Sequence, residues 1–136
     1  MSEHVSRRGR RPDPAIEGLH HLQLAMPAGQ EDAADAFYGG ILGMKRIPKP
    51  EHLAGRGGCW FGIPDGQFHL GVEDPFSPAR KAHPAFLVTG LNELRDRLEA
   101  EGYEIVYDTQ LEGHQRLYTQ DPFGNRLELL EREQPE

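Results

Sequence analysis

An internal duplication of one element pattern constrains the fold of this chain more than any other feature. The first copy begins with HHLQLAMP (20–27) and closes with PDGQFHLGVE (64–73). The second copy begins with AHPAFLVTG (82–90) and closes with DPFGNRLELLE (121–131). Such self-similarity is typical of two copies of one supersecondary unit, neither of which can bury its apolar face alone. We therefore expect the two copies to pack on each other.

Each copy predicts a strand, a helix and three further strands. This βαβββ order, present twice, indicates an α+β fold of eight strands in two pairing modules. Module one covers 18–74 and module two covers 82–131, together forming a single domain over 18–131. The polar segment 1–17, rich in Arg and Pro, predicts a disordered N-terminal tail, and 132–136 form a C-terminal tail.

The predicted helices each have one apolar face and a glycine at the end. Gly43 and Gly102 stand where a left-handed residue commonly follows a helix. The residues at helical spacing are Ala34, Phe37, Tyr38 and Ile41 in copy one, and Leu91, Leu94 and Leu98 in copy two. We expect these side chains to pack in the core.

Composition excludes several function classes. A formal net charge of −7 argues against a nucleic-acid partner or an acidic membrane surface. No apolar run approaches the roughly 18 residues of a spanning helix, and no secretory signal is apparent. The single cysteine, Cys59, excludes an internal disulfide and fits a reducing compartment. We predict a cytoplasmic protein that acts on a small molecule.

Four side chains with metal-binding chemistry recur at matching points of the two copies. His21 and His83 lie at strand starts, while His69 and Glu128 lie in the last strand of each copy. Alternation along a strand places all four on the less apolar face of their strands. Such faces would line a concavity, which is where ligand sites form. One such residue alone is more often structural, but four at equivalent points predict a divalent metal.

The types of donor atom restrict the identity of the metal only in part. Two His and one carboxylate with open positions form the facial arrangement of divalent iron and related metals. A fourth nitrogen suits Zn, Ni, Co, Mn or Fe without choosing among them. On the neighbouring strand, Arg116 and Tyr118 share a face and are candidate substrate-binding residues; a solvated strand face is the alternative.

Four segments of the chain together resemble the vicinal-oxygen-chelate superfamily. They are HHLQLAMP, AFYGGILGM (36–44), KAHPAFLV and DPFGNRLELLE. This superfamily includes glyoxalase I, bleomycin-resistance proteins, fosfomycin-resistance enzymes and extradiol dioxygenases. The resemblance covers 18–131 and implies paired modules whose curved sheets form an open, cup-like eight-stranded sheet. It also implies metal ligands on the first, fifth and eighth strands, often with one on the fourth. Here these are His21, His83 and Glu128, with His69 as the fourth.

One position departs from the glyoxalase pattern. Glyoxalase-type members carry a carboxylate where this chain has His69, which puts true lactoylglutathione lyase activity in doubt. His69 either ligates the metal or acts as a base, since imidazole titrates near neutrality. We name His69 and Glu128 as the candidate catalytic residues.

Three hypotheses follow. The first is an enzyme that uses a divalent metal as a Lewis acid on a small oxygen-chelating substrate, for lyase or isomerase chemistry or, next, ring-cleaving oxygenation. The second is a bleomycin-resistance-like protein that sequesters a ligand without metal or catalysis. The third is a degenerate member with structural histidines only. The sequence leaves open whether modules pair within one chain or across a homodimer, and the resemblance favours the homodimer.

Overall fold

The computed structural model describes residues 13–108 and 111–133. Most of the predicted N-terminal tail, 1–12, and part of the C-terminal tail, 134–136, lie outside the described residues. Residues 13–19 are described and carry no regular secondary structure. No helix in the described part of the chain has the length and apolar character needed to cross a bilayer.

Eight strands form two four-stranded sheets, one from each module. In the first sheet the order is β1-β4-β3-β2, and in the second it is β5-β8-β7-β6. The first strand of each module runs parallel to the last, and the other neighbours are antiparallel. The strands are β1 (His21–Met26), β2 (Lys45–Ile47), β3 (Cys59–Ile63), β4 (Gly66–Val72), β5 (Ala85–Leu87), β6 (Val106–Asp108), β7 (His114–Gln120) and β8 (Arg126–Arg132). The predicted α+β class with two βαβββ modules is confirmed.

Each module has one principal helix between its first two strands. Helix α1 is α-helical over Glu31–Ala34 and continues as π-helix over Asp35–Ile41; helix α2 covers Leu91–Ala100. Gly43 follows α1 at φ +77°, in the left-handed region expected after a helix end. A 3-10 helix, Glu51–Arg56, lies between β2 and β3.

The apolar faces of both sheets meet in one core. Phe68 of β4 contacts Phe86 of β5, with ring centroids 5.5 Å apart, so the two modules touch directly. The predicted helix faces are buried there, apart from Ile41, which packs against the core at partial exposure. Because side chains alternate across a strand, the opposite face of each sheet points away from this shared core. Those outward faces carry the predicted site residues.

A buried polar network also joins the modules. The Tyr38 hydroxyl donates to Asp121 Oδ2 at 2.7 Å, and burial together with Asp121 raises the pKa of Tyr38 well above its usual value. The amide of Asn125 donates to the same carboxylate and to the backbone carbonyl of Ala25, both at 2.9 Å. Asp121 and Asn125 belong to module two, whereas Ala25 and Tyr38 belong to module one. The network therefore adds directional bonds to the apolar packing.

Removing this amide is expected to weaken the packing of the modules. Asn125→Ala leaves the Ala25 carbonyl without this donor and Asp121 with one donor fewer, which should lower the free energy of unfolding by about 1–3 kcal/mol. Urea denaturation measures the loss. Asn92→Ala, on the exposed surface of α2, is the matched control and should change stability little. Equal losses in both variants would contradict a stabilising role for the network.

Candidate metal centre

Each sheet carries one pair of the predicted ligands on its outward face. In the first sheet the rings of His21 and His69 stack with centroids 4.3 Å apart at 17°. In the second sheet His83 Nε2 lies 3.0 Å from Glu128 Oε1. The strand register explains why the two pairs are alike. His69 lies opposite the residue two positions after His21. Glu128 lies opposite the residue two positions after His83. The two pairs are thus equivalent in backbone position.

His69 is enclosed between two other rings. Trp60, its partner across β3 and β4, stacks on it with centroids 3.9 Å apart at 2°, and His21 covers the other side. The Nε2–H of His69 donates to Gln67 Oε1 at 2.8 Å, and the residue is only 3% exposed. These contacts hold the ring in one orientation. Whether His69 acts as a base or ligates metal stays a prediction.

The surroundings of His69 favour its neutral form. Burial lowers the pKa of His69 from 6.5 to about 4, and the positive charges of His21, His20 and Lys49 act in the same direction. A neutral imidazole has a lone pair for a metal, whereas a protonated one does not. At neutral pH this side chain is therefore ready to coordinate without losing a proton.

The lowered pKa predicts a pH-dependent stability for metal-free protein. As pH falls below 6.5 the unfolded chain takes up a proton at His69 before the folded chain does, so the free energy of unfolding falls until about pH 4. The full shift corresponds to roughly 3 kcal/mol. Urea denaturation in chelator at pH 7 and pH 4.5 should therefore show a smaller pH loss in His69→Gln than in wild type. An identical loss in both proteins would refute this assignment.

The second pair, His83 and Glu128, differs from the first in its hydrogen bonding. His83 Nδ1 lies 2.8 Å from the Lys81 carbonyl, so both ring nitrogens face oxygen acceptors. A neutral imidazole carries one N–H and cannot satisfy both. With Nδ1–H donated to the Lys81 carbonyl, the Nε2 lone pair faces Glu128, and a cation bound between the two side chains would contact both. An Nδ1–H donated to a carbonyl is also the usual support of a metal-binding histidine.

Glu128 is held by a cation from the neighbouring strand. Arg116 donates from Nη1 to Glu128 Oε2 and from Nη2 to Asp108 Oδ2, both at 3.1 Å. Its Nε is buried and has no partner among the described residues. Tyr118 is the cross-strand partner of Glu128, and the Arg126 guanidinium lies 4.4 Å from its ring centroid. Substrate binding by Arg116 and Tyr118 stays a prediction, and Arg116 already bonds two carboxylates.

The two pairs do not form one cluster within the chain. Among residues 13–108 and 111–133, no group of three or more His, Cys, Asp or Glu side chains could hold a metal ion. The physical reason is the shared core, since both outward faces point away from it. One chain therefore offers two half-sites, each with two ligand-type side chains, and alone does not fit a four-ligand metal.

Sequence analysis missed the ring stack and the position of His20. The pairing of Trp60 with His69 depends on the hairpin register about the turn at 64–65. His20 precedes β1, is exposed, and its Nδ1 lies 3.0 Å from that of His21. A count of residues on each side of the turn could have found the stack.

Comparison with known proteins identifies the fold family. The family model described as Glyoxalase/Bleomycin resistance protein/Dioxygenase superfamily matches residues 18–129. The chain belongs to this superfamily. The resemblance seen in the motifs is thereby confirmed. No curated protein matches the chain.

Solved structures agree with this assignment. A Bacillus anthracis protein assigned to the glyoxalase family is 45% identical, with a TM-score of 0.84 over 90% of this chain and 100% of that chain. Lactoylglutathione lyase from Agrobacterium tumefaciens is 22% identical, with a TM-score of 0.65 over 87% and 96%. Fosfomycin resistance protein FosX from Listeria monocytogenes is 21% identical, with a TM-score of 0.68 over 86% and 94%. The last two matches show the fold alone.

Proposed function

We propose that this superfamily member is a metal-dependent enzyme whose centre is shared between two copies of the chain. His21 and His69 of one copy would join His83 and Glu128 of the other around one divalent ion. The observation that carries the proposal is the presence of two register-equivalent pairs on outward faces, each with half of a ligand set. Two-fold symmetry then gives two such centres in each homodimer.

The open strand edges support this assembly. Strand β1 is an edge of the first sheet and β5 an edge of the second. Unpaired edges expose backbone hydrogen-bonding groups, which proteins usually cover or pair. Bringing β1 of one copy beside β5 of its partner would cover both edges and turn the two outward faces into one concave, eight-stranded surface.

The polar groups of this surface suit a small substrate with two neighbouring oxygens. A divalent ion would act as a Lewis acid that polarises such oxygens. Arg116 holds the Glu128 carboxylate in place, and Tyr118 and Trp60 add ring surface beside the two half-sites. Lyase or isomerase chemistry is our first assignment, and ring-cleaving dioxygenation is the second.

The identity of the fourth ligand argues against one specific activity. Lactoylglutathione lyase is the name of a structural relative, yet His69 here replaces the carboxylate expected of a glyoxalase-type enzyme. The stack of Trp60 and His21 around His69 also leaves its ring little freedom to move toward a substrate. We assign His69 to metal binding and expect little lactoylglutathione lyase activity.

The only tryptophan of the chain gives a direct test of metal binding. Trp60 stacks on His69, so Ni²⁺ or Co²⁺ bound there should quench its fluorescence, whereas Zn²⁺, with a filled d shell, should not. We expect saturable quenching at about one ion per chain, matched by elemental analysis. His83→Ala, on the other half-site, should abolish it, and His52→Ala, exposed in the 3-10 helix, should not. Quenching that survives His83→Ala would contradict a shared centre.

A metal-free binding protein of the bleomycin-resistance kind is the second candidate. The absence of a three-ligand cluster within the described residues of one chain favours it. For such a protein we expect tight binding of an organic molecule and no metal by elemental analysis. Variants of His21, His69, His83 and Glu128 should keep their affinity for that organic molecule. Residence in the cytoplasm, expected from the single buried cysteine, remains a prediction.

A further inference from the structure

We infer that residues 13–19 of one copy dock into the cleft between the modules of a second copy, anchored by Ile16 and Leu19. This inference rests on the proposed shared centre and adds an interaction surface to it. The occupant is a defined segment of the same chain, which precedes β1 directly.

The segment carries apolar side chains that the described residues of its own chain leave exposed. Ile16 is 94% exposed and Leu19 is 79% exposed, the highest values among the large apolar residues described. Both flank Glu17 and Gly18 in an extended stretch with no helix or strand. Large apolar side chains close together on a surface commonly mark an interaction site.

The cleft offers a matching surface of about 870 Å³. It lies between the β3–β4 turn of module one and strand β5 with helix α2 of module two. Its apolar lining includes Leu42, Met44, Ile63, Phe86, Val88 and Leu94. Among the described residues β5 pairs only with β8, and in the proposed dimer β1 of the partner would lie along its other edge, so the segment that precedes β1 would enter the cleft beyond the end of β5. Leu87 on this strand is 54% exposed.

The shared centre would bring the segment to this cleft. Metal–ligand bonds are about 2 Å long, so His21 of one copy would lie within roughly 5 Å of Glu128 of the other. Ala85 is the register partner of Glu128 and lines the cleft. Leu19 is two residues from His21, a span of at most about 7 Å, so it would lie beside β5 of the partner. Ile16, three residues further from β1, would then lie within reach of the cleft.

The segment of the same copy does not occupy its own cleft. A Cβ at Gly66 would lie 3.3 Å from the His20 carbonyl oxygen and 4.0 Å from that of Leu19, so the chain passes over the β3–β4 turn there. In that position the side chains of Ile16 and Leu19 remain exposed. The partner copy is therefore the occupant that covers both surfaces.

The first test measures dimer dissociation by analytical ultracentrifugation of full-length, metal-loaded protein. Ile16→Asp and Leu19→Asp should each raise the dissociation constant by roughly 10- to 100-fold, the effect of losing one buried aliphatic side chain. Ala15→Asp introduces the same charge at an exposed position of the same segment and should change the dissociation constant far less. If all three variants behave alike while the dimer and its metal persist, the docking is wrong and the shared centre stands.

The second test uses cross-linking in a Cys59→Ala background. Leu19→Cys combined with Leu87→Cys should yield covalent dimers with a short bismaleimide. Leu19→Cys combined with Tyr107→Cys, exposed on the far edge strand β6, should not. Cross-links formed only within one chain would overturn the inference. A wild-type protein that is monomeric and binds no metal would overturn both the inference and the proposed function.

Discussion

Mixing His21→Ala protein with Glu128→Ala protein is expected to restore a metal centre that neither variant forms alone. In the proposed dimer each variant has two defective centres, because every centre would take residue 21 from one copy and residue 128 from the other. A mixed dimer contains one doubly defective centre and one in which all four ligands are intact. If exchange is random, half of the dimers are mixed, and the metal content should recover to about a quarter of the wild-type value.

A second mixture provides the matched control. His21→Ala and His69→Ala change the same half-site, so every centre in their mixed dimer lacks one ligand. Metal content, measured by elemental analysis after exchange and gel filtration, should rise in the first mixture only. No recovery in either mixture, with metal still bound by the wild type, would place the centre within single chains and refute the shared arrangement.

Glu128→Gln is expected to lower metal affinity by more than about 100-fold, beyond the 10- to 100-fold typical of residues that only support a ligand. Glu128 is the only carboxylate of the four predicted ligands, and an amide in its place has no negative charge to offset a divalent cation. Glutamine keeps the shape of the side chain, so cavity effects stay small. Isothermal titration with Zn²⁺ and competition with a chelator measure the change.

The same substitution removes the anionic partner of two cationic or polar groups. Arg116 would keep its bond to Asp108 but lose its ion pair with residue 128, and His83 would lose a carboxylate acceptor. Stability must therefore be measured in parallel, by urea denaturation of metal-free protein. Glu99→Gln, exposed on α2, is the control for loss of one carboxylate. Metal binding by folded Glu128→Gln at wild-type affinity would remove Glu128 from the ligand set.

Much of the fold was predictable because its signals are local. Phe37 and Tyr38 at helical spacing predicted a buried helix face, and both are buried. The alternation in β4 predicted that Phe68 faces the core, and Phe68 is fully buried. Strand ends were less predictable, since His83 was expected at the start of a strand and β5 begins at Ala85. Such bounds depend on hydrogen bonds to a neighbouring strand, which the residues themselves do not encode.

The candidate site likewise has features that the sequence determines and features that depend on the tertiary structure. The amino-acid sequence by itself placed His21, His69 and Glu128 on the less apolar strand faces and His83 at the point of its copy that is equivalent to His21, because repeat position and side-chain alternation are properties of neighbouring residues. Only the tertiary structure decided that the two pairs stay apart within one chain. The apolar sheet faces, with the Tyr38–Asp121–Asn125 network, meet in a shared core and turn both ligand faces outward. Which faces of two modules meet depends on packing between residues far apart in the chain, and under the proposed function a complete centre then needs a second copy.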